Sequence, residues 1–102
     1  MINKRVKGRK NELKARDILV SAGYEVELTK SPSKFSKQQD LFGLFDLIAV
    51  RETDIRFIQV KSNKPIYGQE LEPYNLWKVP ACCTKEIWVF YDRVKEPTIK
   101  IL

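Results

Sequence analysis

The sequence predicts an α/β domain in which a central mixed sheet is flanked by helices. Two strand-forming stretches, 44–50 and 55–62, are separated by Arg51-Glu52-Thr53-Asp54 and read as a hairpin. Alternation puts Leu44, Ile48, Val50 and Phe57 on one face of it and Phe45, Leu47, Ala49, Ile58 and Val60 on the other. A hairpin apolar on both sides belongs at the centre of a sheet covered twice. The order along the chain is helix, three strands, helix, strand, strand, which supplies the covering layers.

Each element has a local reason. Ala15, Ile18, Leu19 and Ala22 recur at helical spacing and Gly23 is a stop signal, so a helix should run from about Gly8 or Arg9 to Ala22. Glu12 lies at the edge of its buried face, near the N-terminal end. Residues 24–28 alternate as a strand. Residues 29–42 are polar and basic, a loop of functional length. After the hairpin comes a loop at 65–69, then a short helix at about 73–79 with Pro73 in its first turn and Pro80 ending it. Residues 87–91 form a buried strand, 92–97 a turn, and 98–102 an edge strand.

Composition narrows the partners. A chain of 102 residues fits one domain, 1–102, with a basic N-terminal segment at 1–10. At 43% hydrophobic and 31% charged it is globular rather than disordered. Nineteen Lys and Arg against thirteen Asp and Glu give a net charge of +6, which favours a polyanion such as nucleic acid. There is no histidine, and Cys82 and Cys83 are adjacent, so zinc finds almost no ligands. Neighbouring cysteines bridge poorly, which suggests a reducing compartment. No apolar run reaches membrane length and no signal-peptide pattern opens the chain, so the expected setting is cytoplasmic, without a membrane.

One end of the hairpin carries chemistry. If the turn sets the register, Val50 faces Ile55, Ile48 faces Phe57, and Asp46 faces Gln59. Asp46, Gln59 and Lys61 then share a face, and folding alone gives little reason to gather them there. Magnesium takes hard oxygen ligands. Asp46 would be the central ligand, with the Gln59 side-chain oxygen, the Val60 carbonyl and Glu12 completing the set. Lys61 would stabilise charge on a phosphate under attack. Bland alternatives stand beside this: Asp46 as a plain ion pair with Lys61 or Arg56, and Glu12 paired with Arg16 along its helix. Trp77 and Trp88 read as core rather than as base-stacking platforms. The basic cluster Lys4, Arg5, Lys7, Arg9 and Lys10, with Lys34 and Lys37 in the loop, is placed to contact a DNA backbone, or to be a solvated arm.

With these residues in view, the chain resembles the PD-(D/E)xK nuclease superfamily, and within it the small Holliday junction resolvases of archaea and their viral relatives. Lys7-Gly8-Arg9-Lys10-Asn11-Glu12-Leu13 looks like the opening helix with its catalytic glutamate. Ala22-Gly23-Tyr24 looks like the helix-to-strand junction. Gly43-Leu44-Phe45-Asp46-Leu47-Ile48-Ala49 is similar to the segment carrying the metal-binding aspartate. Gln59-Val60-Lys61-Ser62 occupies the place of the Glu-x-Lys signature, with glutamine where glutamate is usual. The loop serine of the family corresponds to Ser31 or Ser33. The resemblance implies a restriction-endonuclease-like α-β-β-β-α-β core and a metal-dependent DNA endonuclease that leaves a 5′-phosphate. It implies Mg2+ or Mn2+ as cofactor and four-way junctions as a substrate, cut by a homodimer, in the nucleoid or in the host cytoplasm if viral. Gln59 removes one negative charge from the metal site, so weaker metal binding with manganese preferred is expected. The alternatives are an inactive DNA-binding protein of the same fold and a restriction or repair nuclease acting on duplex DNA.

Overall fold

The computed structural model describes residues 4–29 and 40–102. Ser31, Ser33, Lys34 and Lys37 lie outside the described residues, as do the side chains of Lys4 and Arg5. The elements are α1 (Lys4–Ser21), β1 (Glu25–Leu28), β2 (Leu47–Arg51), β3 (Asp54–Ser62), a 3-10 turn (Gly68–Leu71), α2 (Glu72–Leu76), β4 (Cys83–Phe90) and β5 (Thr98–Ile101). The strands form one mixed sheet in the order β1-β2-β3-β4-β5. Only β3 and β4 run parallel, and α2 lies on the crossover between them.

Helix α1 begins at Lys4, earlier than the spacing predicts, so the basic cluster at 4–10 belongs to the helix rather than to an arm. Its end follows the prediction. Gly23 adopts φ +93°, Tyr24 N–H donates to the Leu19 carbonyl (3.0 Å), and Gly23 N–H donates to that of Val20 (3.0 Å). This pair of bonds satisfies carbonyls the helix leaves open, and only glycine takes the required φ cheaply.

The sheet has a core on each face, as the hairpin implies. Ala15 and Leu19 of α1 pack against Leu47, Ala49, Ile58, Val60, Trp88 and Phe90. On the other face Phe45, Phe57, Ile66, Tyr74, Ile87 and Val89 form a second cluster, with Leu44, Ile48 and Trp77 against it. Trp77 packs edge-on against Phe57 with ring centroids 5.1 Å apart, so it is core, as read; Trp88 is fully buried. The hairpin register is also as read, with Val50 opposite Ile55 and Ile48 opposite Phe57.

Phe45 corrects the pattern. It sits in the second cluster, whereas alternation placed it with Leu47 in the first. The ladder stops at Leu47 opposite Ile58, and the Asp46 N–H also reaches the Ile58 carbonyl (2.9 Å). Two residues of one strand thus meet one of the other, as in a bulge, and alternation slips there. Asp46 is consequently not in a regular pair with Gln59, and β2 starts at Leu47 rather than at Leu44.

Strand β4 is longer than the stretch 87–91 and buries two charges. Glu86, 1% exposed, accepts both guanidinium bonds of Arg56 (2.8 and 2.6 Å) and one from Trp88 Nε1 (3.0 Å). Lys85, on the opposite face, donates to the carbonyls of Tyr74 (2.6 Å) and Trp77 (2.7 Å) and so caps the C-terminal end of α2. Among the described residues, no helix is long and apolar enough to cross a membrane.

Candidate functional site

The parallel strands β3 and β4 end side by side at Ser62 and Phe90, and open α/β sheets place ligands at such carboxyl ends. The N-terminal half of α1 lies over this end. Asn11 and Glu12 continue the buried stripe of Ala15 and Leu19, so an amide and a carboxylate occupy positions where a helix normally packs apolar groups. Asn11 Nδ2 donates to Ser62 Oγ (2.6 Å) and ties the helix to the end of β3.

Glu12 is 9% exposed, inside the buried face rather than at its edge. Among the described residues its buried Oε1 accepts no hydrogen bond, and Arg9 Nη1 lies 3.5 Å away as an ion-pair partner. The pairing with Arg16 does not form, since Arg16 binds Asp17. Burial raises the Glu12 pKa, Arg9 lowers it, and Asp40 raises it. A buried carboxylate oxygen without a hydrogen bond is costly unless something binds it.

Asp46 is placed by the bulge. Its Oδ2 accepts the Val60 N–H (2.8 Å), and Gln59, with its amide nitrogen turned inward, donates to the same oxygen (3.1 Å) and to the Leu44 carbonyl (2.8 Å). The N–H and C=O of one residue point to the same side of a strand, so the Val60 carbonyl also opens toward Asp46. Arg56 does not pair with Asp46, being bound to Glu86. Lys61 shares the Gln59 face by parity, is half-buried, and forms no ion pair among the described residues. Burial pushes the Asp46 carboxyl up to about 7; the Val60 N–H opposes this, and Glu12 and Asp40 add to it.

Asp40 is the residue that sequence reasoning missed. Its carboxyl group lies close enough to Asp46 to oppose the ionisation of that side chain. The turn after it carries the reason. Phe42 (φ +55°) and Gly43 (φ +71°) are both left-handed, Leu41 and Phe45 bond each other, and Gly43 N–H returns to the Asp40 carbonyl (3.0 Å). Phe-Gly followed by the hairpin was the available signal. Tyr74 of α2 closes the far side, its phenol pushed up to about 12 by burial and by Asp46 and Asp40.

The structure thus brings Glu12, Asp46, Gln59 and Val60 together, with Asp40 added and Lys61 next to Val60 along β3. Of the basic residues read as DNA contacts, Lys7 pairs with Asp92 (2.8 Å), Arg9 turns to Glu12 and the Thr29 carbonyl (2.9 Å), and Lys10 is exposed. The donors suit a hard divalent cation in kind: two carboxylates, a carbonyl, and an amide that presents oxygen once rotated. Among the described residues no three His, Cys, Asp or Glu side chains already converge as a metal-holding group, so such an ion would have to draw them together. No protein-family model matches the chain, and no curated protein is similar to it.

Proposed function

We propose that the chain is a divalent-metal-dependent DNA endonuclease of restriction-endonuclease-like fold. The observation that carries the reading is the pair of buried carboxylates, Glu12 and Asp46, at the carboxyl ends of two parallel strands, one with an oxygen that accepts no hydrogen bond among the described residues. Support also comes from the order of elements, with a helix, an antiparallel meander, a short helix and a parallel fourth strand, which agrees with the core that the sequence resemblance implies.

Asp46, Glu12 and the Val60 carbonyl would hold magnesium or manganese, and the ion would supply Lewis acidity toward the scissile phosphate and an activated water. The rest belongs to the chain. Asp40 adds a carboxyl group beside Asp46, where Gln59 supplies none. Gln59 pins Asp46 through its amide nitrogen, and by rotating offers its oxygen instead. The Lys61 ammonium, which forms no ion pair among the described residues, stabilises the charge that develops on the phosphoryl oxygens. A net charge of +6 draws in the polyanion. Cutting both strands of a four-way junction would take a homodimer, since one domain presents one site.

The second reading, a DNA-binding protein without chemistry, is favoured by one feature: the Gln59 amide already occupies Asp46. Cleavage of labelled four-way junction and matched linear duplex, with magnesium and then manganese, decides between them. The nuclease reading expects wild-type cutting that is lost in Asp46→Asn and Lys61→Ala. Symmetric nicking of the junction alone marks a resolvase, and cutting of duplex marks another branch. Salt-sensitive binding without cleavage in either metal establishes the second reading.

A further inference from the structure

Beside the carboxylates lies a cleft of about 350 Å3 that the proposed chemistry does not use. Asn11 and Lys14 of α1 form one wall, and the chain leaving β4, from Phe90 to Lys95, forms the other. Its charge is one-sided. Lys14, Arg93 and Lys95 line it, are exposed, and form no ion pair among the described residues. Among the described residues the one carboxylate in the wall, Asp92, is neutralised by Lys7 at 2.8 Å, and its backbone N–H donates to Asn63 Oδ1. Arg93 is held with φ +67°, uncommon for a residue with a side chain, in a turn closed by Val94 N–H to the Tyr91 carbonyl (3.1 Å).

The cleft is linked to the carboxylate site through Asn11 and Ser62. Asn11 precedes Glu12 and donates to Ser62, Ser62 follows Lys61, and Ser62 pairs with Phe90 across the sheet. A chain of phosphates whose reacting member sat at Asp46 and Lys61 would pass its neighbour over Asn11 into the cationic wall. A space of this size admits a sugar-phosphate unit, and unpaired Lys and Arg with a desolvated amide beside them suit a phosphodiester.

We propose that this cleft binds a DNA backbone phosphate next to the scissile one, with Lys14, Arg93 and Lys95 as its contacts. The proposal rests on the nuclease reading for the identity of the neighbouring site, but the binding needs no cleavage. Contacts of this kind set the register of the strand on the protein and carry no sequence information. A free phosphate or a mononucleotide would present the same chemistry, and the test separates them.

The test uses the full chain carrying Asp46→Asn, so that DNA survives. Duplex affinity is measured by fluorescence anisotropy between 50 and 200 mM salt, roughly the range over which phosphate contacts reveal themselves. Lys14→Ala with Lys95→Ala removes two exposed cations from the cleft. Lys78→Ala with Lys100→Ala removes two from elsewhere, near the start of β4 and on β5. Expected is a salt slope shallower by about 2, with an affinity loss of about tenfold or more at the low-salt end, in the cleft variant alone. Equal changes in both variants would reduce the effect to net charge and overturn the proposal, as would no change in either. Calorimetric titration with a deoxynucleoside 5′-monophosphate is the second arm. Saturable binding that the cleft variant loses, with its DNA slope unchanged, would assign the cleft to a small molecule and overturn the DNA assignment. Wild-type protein that binds with the full slope but never cuts would sink the nuclease reading and leave the cleft standing.

Discussion

Asp46 shows how one side chain can be costly to the fold and necessary to the site. Burial and two acidic neighbours oppose its ionisation, while a single backbone N–H and one amide support it. Asparagine keeps both hydrogen bonds and drops the charge. Asp46→Asn should therefore abolish cleavage and also raise metal-free stability at pH 8 by about 1–2 kcal/mol, as often follows when a functional site loses its strain. Urea denaturation of both proteins reads the second effect, and a destabilised variant would show that Asp46 is a structural anchor instead. Gln59→Glu reverses the logic. It sets a carboxylate against Asp46 Oδ2 and the Leu44 carbonyl, so metal-free stability should fall by about 1–3 kcal/mol while the manganese dissociation constant tightens several-fold. Calorimetric metal titration checks it, and an unchanged constant would mean that residue 59 is not a ligand.

The turn before β2 shapes the site as much as the strand it precedes. Gly43 stands at φ +71° with open space where a Cβ would go, so Gly43→Ala acts through backbone strain alone. It should cost about 1 kcal/mol and lower cleavage by more than that loss of stability explains, because Asp40 and Asp46 flank the turn. Gly8 lies inside α1, also with nothing within 4 Å, and Gly8→Ala should stabilise by about 0.5–1 kcal/mol without affecting the site. Thermal melts of the pair provide the contrast. The same turn marks where reading from sequence ran out. The hairpin, its register and its two apolar faces were legible because side chains alternate and both faces had to be covered. The slip that sends Phe45 to the opposite core was not, since a bulge has no residue type of its own. Glu12, Asp46, Gln59 and Lys61 could be named because charged and amide groups interrupted apolar periodicity. Asp40 could not, because in a polar loop one more carboxylate carries no contrast. The first half of β4 was missed for the opposite reason: Lys85-Glu86 looks like surface until Arg56 and the α2 carbonyls are there to receive it.

For the whole molecule, that interior ion pair sets the response to acid. Burial alone would raise the Glu86 pKa, but hydrogen bonds from Arg56, Thr84 and Trp88 outweigh it and hold the carboxyl below 4.5. A lowered folded-state value contributes stability that is present above 4.5 and lost as pH falls through the folded value, while Arg56 stays charged throughout. Stability should accordingly decline below about pH 4.5. Glu86→Gln, which strands Arg56, should cost about 3 kcal/mol at pH 7, and the gap to wild type should close toward pH 3. A gap that stayed constant with pH would show that packing, not charge, is what the substitution removes.

The other interior charge of β4 makes the protein its own gauge of local opening. Lys85 is held by two carbonyls at the end of α2, beneath the helix whose Tyr74 borders the carboxylates. An amine-reactive label should modify the exposed lysines within minutes and leave Lys85 untouched for as long as α2 stays docked. Its labelling rate, followed by mass spectrometry of the peptide around it, would count how often that helix lifts from the sheet. A rate that slowed on adding manganese or DNA would tie the lifting of α2 to the site it overlooks; a rate indifferent to both would leave it a plain structural cover.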